Sequence, residues 1–70
     1  MNEDFLTLNH LRTLRVRRGL PQWKASLAIG ISESRLCVLE QGAPPRKTDI
    51  EKLTGFYGVK QKEIWPGMGE

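Results

Sequence analysis

The chain has one cysteine, Cys37, and one histidine, His10, in seventy residues. A single cysteine excludes an intrachain disulfide framework, and with a lone histidine it leaves no Cys/His zinc site. No metal is therefore expected, and the cytoplasm is the expected compartment. No apolar run approaches the roughly 18 residues of a membrane span, so no membrane is expected as a partner. No apolar/polar alternation of useful length occurs, so strands are not expected either. The start, Met1-Asn2-Glu3-Asp4, is acidic and unlike a signal peptide, and the chain is expected to be untrimmed. The sequence also lacks a paired acid and base, a Cys/His arrangement and a phosphate-cradling glycine loop, so neither an enzyme nor a cofactor is expected.

Seventy residues allow one small domain, residues 1–70, with a thin core. The net charge of +3 is unevenly placed. Residues 1–30 carry +3, residues 31–48 carry +1 and residues 49–70 carry −1. A polyanion is a reasonable partner for the front two-thirds.

Glycine and proline divide the chain into short segments at 19–21, 30, 42–45, 58 and 66–67. The first, roughly Phe5 to Arg18, places Leu8, Leu11, Leu14 and Arg15 in one helical arc, with Gly19 as its stop. His10 reads as an ordinary residue of that helix. The second runs from Gln22 to Ile29, with Pro21 suited to a first turn and Ala25, Ala28 and Ile29 inward. Ser32 is a plausible N-cap for a third helix from Glu33 to about Gln41, with Leu36 and Leu39 inward. A fourth starts at Lys47 or Thr48 and turns Ile50, Leu53, Phe56 and Tyr57 inward. A short last helix covers about Gln61 to Trp65. This is an all-α, compact five-helix domain.

Segments two and three, joined by Gly30-Ile31-Ser32, have the size and spacing of a DNA-binding helix-turn-helix over about residues 22–41. Leu11, Leu14-Arg15, Arg18-Gly19-Leu20, Gln22, Gly30-Ile31-Ser32, Ser34, Leu36, Leu39-Glu40 and Gly42 occur in a specific order. Pro45, Leu53, Gly58-Val59 and Glu63-Ile64 extend it. In this the chain resembles the Cro/repressor, XRE-like helix-turn-helix proteins of phages and bacteria. The resemblance covers about residues 8 to 65. It implies a lambda-repressor-like fold. Departures are Pro21 where the family has Thr or Ser, Ala25-Ser26 where it has Leu-Ala, and Cys37 and Val38 at positions that are usually polar.

The resemblance implies an ion pair of Arg15 with Glu40 locking helix three against helix one, where the alternative is an Arg15 snorkelling to solvent. It implies Gln22 on the DNA backbone, where the alternative is a solvated helix-opening residue. It places the loop residues Gln41, Arg46 and Lys47 beside phosphate. If the unit is a helix-turn-helix, the outward part of helix three enters the major groove, making Glu33, Ser34, Arg35, Cys37 and Val38 base-facing. Arg35 could go to guanine or phosphate. Trp23 either packs partly on helix one or meets the DNA backbone or groove edge through its N–H. Ile64 and Trp65 either cap the core over Leu53 and Tyr57 or form a dimer contact.

The expected function is sequence-specific binding of double-stranded DNA by a homodimer on a two-fold related operator. This would be a small repressor of Cro-like, restriction-control or antitoxin type. The alternative is a protein-interaction module that keeps the fold but has weak or lost base readout, motivated by Glu33 and Val38.

Overall fold

The computed structural model describes residues 9–67. Within them the chain forms five helices: α1 (Leu11–Arg17), α2 (Gln22–Ile29), α3 (Glu33–Gln41), α4 (Lys47–Tyr57) and α5 (Gln61–Ile64). No strand forms among the described residues.

Helix α1 is shorter than the periodicity suggests. Phe5 to Leu8, and with them the expected inward position of Leu8, lie outside the described residues. The Asn9 side chain accepts the Leu11 N–H at 3.0 Å and donates to the Leu39 carbonyl at 2.9 Å. It thereby starts the helix and fastens it to α3. His10 is the exposed residue before the first turn, not a helical one.

Helix α2 opens after Pro21, which stands one position before the first turn in extended geometry. It closes at Gly30, whose φ of 93° lies in the left-handed region. A residue with a β-carbon is strained there, which is why the turn takes glycine. The buried face of α2 differs from the sequence reading. Ala25, Ser26 and Ile29 are buried, while Ala28 is exposed. Half-buried Gln22 lies on the same stripe, at the i, i+3, i+4, i+7 spacing of one helix face. Ser26 can be buried because its hydroxyl donates to the Trp23 carbonyl at 2.9 Å.

Helix α3 is capped by the Ser32 hydroxyl, which accepts the Arg35 N–H at 3.1 Å. It ends at Gly42, with φ 116°. Leu36 and Leu39 project from its inner face and are fully buried. They join Leu11, Ala25, Ile29, Leu53, Tyr57, Ile64 and Trp65 in one core cluster. Arg18, just past α1, donates to the Phe56 and Tyr57 carbonyls at 3.1 and 3.0 Å and lies over both rings. A cation at the last carbonyls of α4 is favourable in itself, and the ring faces add to it.

Helix α5 stops at Ile64, so Trp65 follows it rather than ending it. Ile64 and Trp65 are both 0% exposed. Of the two readings of Ile64 and Trp65, core cap or dimer contact, this burial is that of the core cap: both belong to one cluster with Leu53 and Tyr57. The Ile64 carbonyl accepts the His10 N–H at 2.9 Å, which fastens α5 to the start of α1. No described helix is long and apolar enough to cross a membrane.

Candidate nucleic-acid interface

Helices α2 and α3 pack against each other across the Gly30 turn and present the outer side of α3. Glu33 and Ser34 are exposed, Val38 is 40% exposed and Cys37 is half-buried. Ser34 Oγ lies 3.4 Å from Ser32 Oγ, at the first turn of α3. The Cys37 sulfur accepts from Gln41 Nε2 at 3.4 Å, so these two residues form one weakly bonded strip one turn apart. Arg46 and Lys47, where α4 begins, are exposed.

Beside this face lies a polar cluster at the junction of α1, α2 and α3. Arg15 Nε donates to Glu40 Oε2 at 2.7 Å and Nη2 donates to Oε1 at 3.2 Å. A third donor, Nη1, reaches the Leu20 carbonyl at 2.8 Å. The two side chains are 12% and 4% exposed, so this pair is largely out of solvent. The hydrogen bond to Glu40 raises the Arg15 pKa above its ordinary value, outweighing the opposing effect of burial. Gln22 Nε2 also donates to Glu40 Oε1, at 3.1 Å. Glu40 therefore holds the first side chain of α2 as well as the second turn of α1. Trp23, the next residue, is 55% exposed.

The sequence reading sets Arg35 among the base-facing side chains; in the structure it makes an ion pair with Asp49, Nη2 to Oδ2 at 2.6 Å. Burial alone would raise the Asp49 pKa. The Arg35 hydrogen bond, the Arg46 N–H and the charges of both arginines outweigh it and hold the carboxyl below the usual aspartate value. Asp49 is a residue that sequence reasoning passed over, and Arg18 was noted there without its hold on the end of α4. Asp49 sits three positions after Arg46, the spacing of a helix-opening carboxylate, which is the signal that could have found it. No group of three or more His, Cys, Asp or Glu residues suited to a metal occurs among the described residues.

A fold of this kind, with a glycine turn between two short helices and an outward second helix, defines a helix-turn-helix protein. The chain belongs to the helix-turn-helix domain family, whose pattern matches residues 9–64. Among curated proteins it is similar to the cryptic phage CTXphi transcriptional repressor RstR of Vibrio cholerae. The two are 36% identical over 55 residues, covering 77% of this chain and 50% of that protein. The chain thus spans about half the length of that relative. No solved structure matches it.

Proposed function

We propose that the chain is a sequence-specific double-stranded DNA-binding regulator, a repressor of Cro-like, restriction-control or antitoxin type, working in the cytoplasm. The observation that carries this reading is the outer face of α3, with Glu33, Ser34, Cys37 and Val38 turned outward and Arg46 and Lys47 exposed at the start of α4. Such a face suits the major groove, and the flanking bases suit the phosphates on its rim. Similarity to a phage repressor supports the same reading.

In this proposal Ser34 donates to or accepts from a base edge, Val38 packs on a thymine methyl and Glu33 accepts from a cytosine amine. Gln22, Trp23, Gln41, Arg46 and Lys47 hold the phosphate backbone. The Gln22 carboxamide is oriented by Glu40, which leaves its second N–H for a phosphate oxygen. Two copies acting on a two-fold operator would place their α3 helices about 34 Å apart, one turn of DNA. Their contact surface would not be Ile64 and Trp65.

The test is selection of bound duplexes from a random pool, followed by footprinting. A palindromic consensus is the expected result, and no enrichment at low salt refutes the proposal. A second reading, a protein-interaction module, is favoured by one feature: Trp23 and Leu27 are 55% and 73% exposed, one turn apart on α2. A flat salt response with retained binding to a protein partner would decide for it.

A further inference from the structure

One carboxylate oxygen, Asp49 Oδ2, joins the two halves of the proposed interface. It accepts Arg35 Nε at 3.2 Å, Arg35 Nη2 at 2.6 Å and the Arg46 backbone N–H at 2.8 Å. Arg35 Nη2 also reaches the Pro44 carbonyl at 3.4 Å. The atom that opens α4 is thus the atom that holds a side chain from the first turn of α3. Asp49 is 5% exposed, so the linkage is sheltered. One turn further along α4, Lys52 Nζ donates to the Gly30 carbonyl at 3.0 Å. Helix α4 therefore grips both α3 and the turn that precedes it. Between them is an open hollow lined by Ser32, Ser34, Arg35, Arg46, Thr48 and Lys52, among others.

We propose that the Arg35–Asp49 latch is a specificity determinant: it fixes the outer face of α3 relative to Arg46 and Lys47, and Arg35 is a positioning residue rather than a reader. This rests on the DNA-binding reading above. Phosphate contacts set register and base contacts set sequence, so the two sets must be held to each other for register to carry information. A released Arg35 is a mobile cation that meets any phosphate equally well. The Asp49 charge beside this basic surface weakens attraction to every duplex alike, so its contribution to recognition is geometric.

The full chain is compared with Asp49→Asn, Arg35→Gln, the double variant and Arg35→Lys. Asparagine keeps an oxygen for the Arg46 N–H, so the helix opening survives while the charge is lost. Two affinities are measured across a salt series: for the duplex that the wild type selects from a random pool, and for a random-sequence duplex of equal length. Each neutral single variant is expected to lower the ratio of the two by about tenfold or more, within the range of one mismatched base pair. Asp49→Asn binds the random duplex at least as tightly as the wild type. The double variant is no worse than the poorer single, and Arg35→Lys keeps the ratio within about threefold because the cation remains. The salt slope of Arg35→Gln stays that of the wild type, whereas loss of a phosphate contact would reduce it by about 0.9.

An unchanged ratio in either neutral single variant overturns the proposal, as does a ratio lost in Arg35→Gln but kept in Asp49→Asn. If Asp49→Asn does not fold by circular dichroism, the two Arg35 variants carry the test through ratio and slope. A wild type that selects no sequence refutes the DNA reading and this inference together. Selectivity that survives the substitutions refutes the inference alone.

Discussion

Replacing Arg15 by Met cuts the ion pair that joins α1 to the end of α3. The aliphatic part of the side chain is kept, so the change falls mainly on the charge. Glu40 is then left at 4% side-chain exposure with the Gln22 amide as its described partner. Removing one member of a buried pair costs about 3–5 kcal/mol, because the other charge stays where water cannot solvate it. Arg15 is 12% exposed and sits at the edge of the cluster, so water reaches part of the gap and the lower end applies. The expected loss is about 3 kcal/mol, most of what a domain this small has in reserve. At about 4–8 °C per kcal/mol, the melting temperature should fall by about 12–24 °C. Urea and thermal melts by circular dichroism measure it. The control is Arg15→Met with Glu40→Leu, which removes both charges and should recover more than half of the loss. A loss under about 0.5 kcal/mol for Arg15→Met, the range of ordinary surface changes, refutes the reasoning. So does a double variant whose loss equals the sum of the two singles.

Gly30→Ala should cost about 1–2 kcal/mol in urea melts, from backbone strain alone. Its φ is 93° and an added β-carbon meets nothing within 4 Å. Arg46→Gln and Lys47→Gln should each lower the slope of log affinity against log salt by about 0.9 without changing the preferred duplex. A slope unchanged in both removes them from the phosphate set. The Asp49 carboxyl titrates below its unfolded value in the folded chain. Its contribution is therefore complete above the unfolded value of about 4 and is lost as pH falls through the folded one. The urea midpoint of the wild type should thus exceed that of Asp49→Asn by more at pH 6 than at pH 2.5. An equal gap at both pH values refutes the assignment.

The boundaries of α2 and α3 and the end of α4 were legible because they rest on local chemistry. Gly30, Gly42 and Gly58 end their helices in left-handed geometry, and Ser32 opens α3 through its own hydroxyl. The inner leucines followed from spacing. What spacing could not supply was the choice among flanking positions. On α2 the buried stripe includes Ser26 rather than Ala28, since a serine that bonds its own helix backbone is admitted to a face that α3 and α4 both cover. The Arg35–Asp49 pair joins residues fourteen apart across a proline-containing link, and no helical period connects them. The burial of Trp65 was open for a related reason. A tryptophan after a one-turn helix suits a surface or a core equally until the fold places α5 against α4 and the start of α1.

These pairings change how charge is divided over the proposed interface. Helix α3 carries three charged side chains, Glu33, Arg35 and Glu40. Arg35 is tied to Asp49, and Glu40 to Arg15 and Gln22, while Glu33 is exposed. The helix proposed to read bases thus offers the groove a carboxylate, a hydroxyl, a thiol and a valine, with its one cation turned aside. Attraction to a polyanion must then come from residues around it, with Arg46 and Lys47 after it and Arg12, Arg17 and Lys24 before it, all exposed. On that proposal, affinity and discrimination reside on different side chains. Flanking bases act on any duplex, weaken with salt and carry no sequence information. An exposed carboxylate in the groove repels where it finds no amine, so it raises selectivity by penalising wrong duplexes. That arrangement makes strong binding by one copy difficult, and it is the physical reason to expect two copies acting together on a two-fold site.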